Sequence, residues 1–260
     1  MILFVFEGED REPCLYKSLE KLYLPKDNDN IICSFGNSIF DLYSEMQTLE
    51  DGGDIVSLLR EHLANRGDST LDGIKTSDIS ETYLFFDYDF QNTQLTLEEI
   101  NLRVLSMLEF FTDETDNGKL YINYPMIESI RYTKELPDDD YVNYTINRSD
   151  CRDFKRIAGV FSHYRSFDHI LFKEGEIPSK EKYLKIKDNW ECLVKMNVCK
   201  ANYIVTGNNG MPEQKDDINQ LQIFCFQMKK YVDASESVAI LNSFPLFIYD
   251  YLNIEGFGSF

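Results

Sequence analysis

Residues 1–6 (MILFVF) are apolar without interruption, the pattern of a strand covered on both faces of a parallel sheet. Glu7-Gly8 stops the run. Over 10–23, Leu15, Leu19 and Leu22 recur at helical spacing, and Pro13 sits in the first turn, where its missing N–H is tolerated. The cycle then repeats. Residues 31–35 (IICSF) predict a second buried strand stopped by Gly36, and a helix from Ser38 follows with Phe40, Leu42, Tyr43 and Met46 as its apolar positions. Residues 65–80 are polar and contain glycine, which predicts a loop. Residues 83–86 (YLFF) predict a third buried strand ending at Asp87-Tyr88-Asp89. An amphipathic helix over 97–111 follows, with Thr96 and Glu99 at capping-box spacing. Residues 120–123 predict a fourth strand, and Pro125 the opening of another helix. Strand and helix alternate, so the expected fold is α/β: a mostly parallel sheet flanked by helices.

The alternation lapses between about 136 and 200, where an acidic turn (PDDD, 137–140) leads into charge-rich sequence holding the single tryptophan, Trp190. The expected organisation is an α/β core over 1–135, a helical insertion or subdomain over 136–200, and a C-terminal α/β part over 201–260 that completes the core. In that last part, 238–241 and 245–252 again read as strand then helix. The apolar start has no basic lead and meets Glu7 at once, so it does not read as a signal peptide. No stretch approaches the roughly 18 apolar residues of a membrane span. Six cysteines without CxxC spacing read as small core residues of a reducing compartment, not as a disulfide frame or zinc site. The expected location is cytoplasmic.

Carboxylates at the ends of predicted strands carry the candidate chemistry, because ligands of open parallel sheets gather at the carboxyl edge. Glu7 ends the first strand, and Asp87 and Asp89 end the third. In extended backbone, positions two apart face one side. Carboxylate oxygens suit a hard cation, Mg2+ or Mn2+. Taken alone, the signal is weak. With 45 acidic residues in 260, an acid–x–acid triplet arises by chance roughly seven times, and Glu7 could simply cap the next helix. The conjunction has more weight: strand–Glu-Gly–helix, strand–Gly–helix, strand–Asp-x-Asp–helix.

That order resembles the Toprim domain of topoisomerases, bacterial primases and a group of nucleases. The stretch FEGEDREPCLYKSL (6–19) is similar to the first motif of the RloB-like branch of bacterial defence Toprim proteins, with Arg11 standing where that branch has threonine. YPMIESI (124–130) resembles a later stretch of the same branch through Pro125 and Glu128. A PARIS-type (AriB-like) Toprim nuclease, which pairs with an ABC ATPase, is a second similar group. The likeness covers about residues 1–133.

It implies a divalent-metal-dependent nuclease acting on RNA (tRNA especially) or DNA, serving as a toxic effector in antiphage defence. Glu7, Asp87 and Asp89 would be catalytic and metal-binding, Glu9 a ligand of a second metal, and Glu128 a further candidate. It also implies an ABC-type or AAA ATPase partner, involves no membrane, and leaves a homodimer open. Glu9 reads equally as a surface residue, and Glu12 as a position on the first helix.

The net charge of −19 weighs the other way, since it repels phosphate at long range. It suits instead a binding module of the same fold that docks onto an ATPase. Two local basic groups, Lys180/Lys182/Lys185/Lys187 and Arg148/Arg152/Lys155/Arg156, are either solvated helix faces or phosphate contacts. The three histidines (62, 163, 169) lack metal spacing. A serine-nucleophile motif, a Walker A loop and a dinucleotide glycine motif are absent.

Overall fold

A computed structural model of the chain describes residues 1–24, 29–47, 54–164 and 166–252. The apolar runs become strands: β1 (Ile2–Phe6), β2 (Asn30–Ser34), β3 (Glu81–Asp87) and β5 (Gly118–Asn123), with a two-residue β4 (Thr112–Asp113) at one edge. They form a five-stranded sheet in the order β2-β1-β3-β5-β4. The first four are parallel, and only β4 runs antiparallel. Every residue of β1 is buried, as its uninterrupted hydrophobicity requires of a strand covered on both sides.

Helices cover both faces. On one lie α1 (Arg11–Tyr23) and, from the far end of the chain, α10 (Ser243–Tyr251). Phe4 and Phe6 point there, against Tyr16 of α1 and against Phe247 and Phe244 of α10. On the other lie α2 (Ile39–Met46), α3 (Ile55–Asn65) and α4 (Leu97–Phe110). There Phe35 packs on Phe86 and stacks on His62, whose Nε2 meets the Phe35 carbonyl. His62 is thus a core histidine. α3 is an additional helix between the predicted helix from Ser38 and the predicted loop over 65–80, capped by Asp54 and with Ile55, Leu58, Leu59 and Leu63 as its buried stripe.

Caps set the helix starts. Asp41 accepts hydrogen bonds from the Ser38 N–H and hydroxyl, opening α2. At α4 the Thr96 hydroxyl accepts from the Glu99 N–H, while the Glu99 carboxylate accepts from the Thr96 N–H. Thr96→Ala is expected to cost about 1 kcal/mol, seen as a melting temperature lower by roughly 2–4 °C. An unchanged melting curve would mean that tertiary packing alone holds this end of α4.

Two expectations change in the rest of the chain. Pro125 does not open a helix: the Tyr124–Pro125 bond is cis, and only a 3-10 turn, Ile127–Arg131, follows. The helix content of 136–200 is concentrated in one long helix. After β6 (Thr145–Asn147), α5 (Arg148–Cys151) and α6 (Phe154–Phe161) are short, whereas α7 (Lys180–Thr206) runs 27 residues from the Ser179 cap to Gly207. Trp190 of α7 is fully buried and its indole N–H donates to the Ile170 carbonyl at 2.9 Å. Lys200, also on α7, is buried with its ammonium donating to the carbonyls of Tyr141 and Tyr144. Burial alone pushes that amine well below its ordinary range.

Then come α8 (Gln220–Gln227), α9 (Asp233–Ser235) and β7 (Ser237–Ala239). β7 pairs antiparallel with β6 in a separate two-stranded sheet, so this strand does not extend the parallel one. All six cysteines are free. Cys33 and Cys151 are buried as expected of core residues, but Cys14 and Cys225 are exposed. Among the described residues, no helix is long and apolar enough to cross a membrane.

Candidate active site

The sheet order places a topological switch between β1 and β3. From β1 the chain moves outward through α1 to β2; from β2 it crosses back past β1 to β3 and continues to β5. Helices leave the two central strands on opposite faces, which opens a crevice at their carboxyl ends. Glu7 stands on one side of that crevice and Asp87 on the other.

The Glu7 backbone still belongs to the sheet, donating to the Phe85 carbonyl and accepting from the Gly36 N–H. Its side chain reaches across the crevice, and Oε2 accepts the Asp87 N–H at 2.9 Å. The two carboxylates are therefore neighbours. Asp87 Oδ1 accepts from the Asn123 side chain at 3.0 Å. Asn123 ends β5 in register with Asp87, and its own oxygen accepts from the N–H and hydroxyl of Ser243 at the start of α10. A continuous chain of hydrogen bonds thus ties three strand ends to a helix start.

Glu12 joins this group. It is buried on α1, and its carboxylate receives the Gly8 N–H at 3.3 Å. A β-carbon on residue 8 would lie 2.6 Å from Glu12 Oε2, so the glycine after Glu7 is what lets this carboxylate approach. The sequence places Glu12 on the first helix, and the structure turns its carboxylate inward to the Gly8 N–H.

Asp89 departs from the extended-strand argument. β3 ends at Asp87, and Asp89 takes a left-handed φ of 54°, so spacing by two does not put both aspartates on one side. Their charged neighbours differ accordingly. Asp87 feels Glu7, Glu12 and Glu128, whereas Asp89 feels Asp41; Glu7 feels Asp89, Glu12 and Asp41. Glu7 lies between two acidic groups.

Glu7, Asp87 and Asp89 are all half-buried. Burial, then the charge of Asp89, pushes the Glu7 carboxyl up to about 8. Burial likewise raises Asp89 to about 6, with Asp41 adding to it and a hydrogen bond from Gln91 opposing. Asp87 is raised well above the usual carboxylate range by burial and by Glu7. Such a cluster is strained while it is anionic, and a cation would relieve it. Its donors are hard oxygens, which fit Mg2+ or Mn2+.

The other two candidates are engaged elsewhere. Glu9 is exposed and held by Arg66, which also donates to the Phe35 carbonyl beneath Gly36. Glu128 is buried and paired with Arg11 at 3.1 Å, with Lys155 at 3.8 Å. Among the described residues, no three His, Cys, Asp or Glu side chains converge into a ready metal cage. An apolar cavity of about 430 Å³ beside α7, lined by Tyr141, Met196 and Cys199, includes none of these carboxylates.

Most of the basic residues singled out in the sequence have structural partners. Lys182 pairs with Glu176, Lys187 with Glu191 and Arg156 with Asp153. Arg148 holds the Phe90 and Asn92 carbonyls. No family model matches the chain, and comparison with curated proteins and with solved structures gives no match.

Proposed function

We propose that the protein is a divalent-metal-dependent nuclease of Toprim type, with Glu7, Asp87 and Asp89 as its working carboxylates. The observation that carries this reading is the Glu7–Asp87 contact at the switch crevice, where half-buried carboxylates crowd at the carboxyl edge of a parallel sheet. Asp87 would hold Mg2+ or Mn2+ beside Glu7, with Asp89 reaching the site from the other side of Glu7, and the ion would supply positive charge for a scissile phosphate. The lack of a closed cage is compatible with magnesium, which usually takes one or two protein carboxylates and leaves its other positions to water and substrate phosphate.

The chemistry assigned to the chain itself is proton transfer. As a water oxygen bonds to phosphorus and the P–O bond to the leaving nucleotide breaks, Glu7 takes the water proton, and the leaving oxygen is protonated from solvent. A carboxyl poised near neutrality suits a general base. Asn123 and Glu12 act by position, Asn123 by orienting Asp87.

The substrate would be RNA, tRNA in particular, or DNA, and the setting antiphage defence under an ABC-type or AAA ATPase partner. The test is incubation of the purified chain with tRNA and plasmid in Mg2+ or Mn2+ against EDTA, alone and with a partner. Metal-dependent products support the reading; none under any of these conditions removes it.

A second reading is favoured by the net charge of −19 and the absence of a converged triad among the described residues. In it the fold is a non-catalytic module whose acidic surface docks onto an ATPase. A manganese-soaked crystal separates the two: density between Glu7 and Asp87 belongs to the first, splayed acids without density to the second.

Arg148 supplies a further test of the nuclease reading. Its guanidinium donates to the carbonyls of Phe90 and Asn92 at 3.1 and 2.9 Å, and the Asn92 N–H donates to the Asp89 carbonyl. Arg148 therefore fixes the turn that holds Asp89 left-handed. Arg148→Met is expected to slow cleavage ~10- to 100-fold by loosening that placement. Wild-type rates in the variant would show that Asp89 needs no such brace.

A further inference from the structure

One cluster of cations has no role in the chemistry above. The 3-10 turn Ile127–Arg131 follows β5, whose last residue, Asn123, holds Asp87. From that turn Glu128 projects into a group of three cations. Arg11 Nη1 lies 3.1 Å and Lys155 Nζ 3.8 Å from Glu128 Oε1. Arg131, from the same turn, donates to the Lys155 carbonyl at 3.1 Å. The guanidiniums of Arg11 and Arg131 lie 5.1 and 5.2 Å from the centre of the Phe167 ring, which holds both through cation–π contact.

A buried carboxylate needs one cation to offset it. Among the described residues, Arg11 and Lys155 both meet Glu128 and Arg11 also acts on Glu12, so Lys155 is the cation that the buried carboxylate holds least closely, in a chain whose net charge is −19. Both cations are reachable, because the side chains of Arg11 and Lys155 are 35% and 65% exposed while Glu128 is 5% exposed. The group also adjoins the carboxylates: Glu128 is close enough to Glu12 and Asp87 to act on both electrostatically. A positive shelf beside an acidic crevice draws phosphate locally even where the whole surface repels it.

We propose that Arg11 and Lys155, set in place by Glu128, Arg131 and Phe167, form the subsite that takes a backbone phosphate next to the scissile one. The inference rests on the nuclease reading and adds where the strand lies: along the α1 side of the crevice, over α6. It also accounts for how so acidic a chain engages a polyanion, through one built contact and not through its general field. The shared chemistry of the ligand is the phosphodiester chain, RNA or DNA.

The experiment measures binding of a labelled single-stranded oligoribonucleotide and its DNA counterpart to the full chain across a salt series in Mg2+, together with melting with and without Mg2+. Lys155 is largely exposed, so Lys155→Ala and Lys155→Glu should fold. Each is expected to weaken binding, the reversal by tenfold or more, and to reduce the salt slope by about 0.7 for the lost contact. Lys185→Ala, on the exposed side of α7, should leave both unchanged. Arg11→Lys should retain part of the affinity.

Two results overturn the subsite. If Lys155→Glu binds with wild-type affinity and slope while the wild type cleaves, the subsite falls and the nuclease reading stands. If the wild type binds neither oligonucleotide, the subsite falls as well, and manganese density at Glu7 and Asp87 in a soaked crystal then decides separately whether the carboxylate site survives.

Discussion

Asp87→Asn is expected to remove metal-dependent cleavage, by ~10³-fold or more, while the folded protein becomes more stable in the absence of metal. The change keeps the shape of the side chain, and its oxygen can still accept from Asn123. It deletes a ligand charge, and ligand charge is what holds a hard cation and stabilises the charge that develops on phosphate. Glu7→Gln is expected to abolish cleavage as well, yet to keep some metal binding, since its assigned share is proton transfer. Its amide oxygen can still accept the Asp87 N–H, so the strand ends stay joined.

Relief of repulsion should appear as a gain of a few degrees in the metal-free melting temperature, because functional carboxylates are held at the expense of stability. Melting with and without Mg2+ and cleavage of tRNA and plasmid, for wild type and both variants, check this. Undiminished cleavage by the Asp87 variant would end the mechanism. An unchanged melting temperature alone would not, because weakly bound magnesium shifts stability little.

The parts of this fold that pattern reveals are those where one local signal decides the outcome. An uninterrupted apolar run can only be a strand covered on both faces or a buried helix segment, and the turn residues after β1 and β3 settle which. Thr96 and Glu99 announce α4 because a capping box is local by construction. The helix Ile55–Asn65 has equally local signals in Asp54 and its leucines, so nothing physical hides it.

What pattern does not reveal depends on contacts distant in sequence or on backbone that departs from the regular forms. Asp89 is left-handed in a turn whose Asn92 carbonyl Arg148 holds from 56 residues further on, and no spacing rule contains that. The pairing of β6 with β7 joins segments about 90 positions apart. The same limit applies at the site. Glu7 and Asp87 are visible as strand ends, and so is Asn123, which an equal weighting of every strand end would have included. Glu12 is different, since a helix position does not say whether a carboxylate faces water or the Gly8 N–H.

The raised carboxyls also fix how stability should vary with pH, with a sign opposite to that of ordinary paired carboxylates. Glu7 moves from 4.5 in an unfolded chain to about 8 in the fold. Between these values the unfolded chain has released its proton and the folded one still binds it. Stability therefore falls as pH rises through that window, is fully retained below about 4.5, and levels off above about 8. Asp89, raised to about 6, adds a smaller loss at the acidic end of the window. His169 acts against it: burial lowers its imidazole to about 4, so stability is gained as pH rises from there toward 6.5.

The Glu7→Gln comparison cancels His169 and reports Glu7 together with Asp87, whose carboxyl Glu7 helps to raise. The difference between wild type and variant should widen from pH 5 to pH 8 by on the order of 2 kcal/mol, a value reduced from the full shift because the site is half-buried and water screens it. In melting temperature that is roughly 4–8 °C. Magnesium competes with the proton for the same oxygens, so the small stabilisation it gives should grow over the same range. Melting in EDTA and in Mg2+ from pH 5 to pH 9 reads both effects. Parallel curves for wild type and Glu7→Gln would show that Glu7 ionises freely in the fold, and the strained carboxylate pair at the crevice would then have no energetic basis.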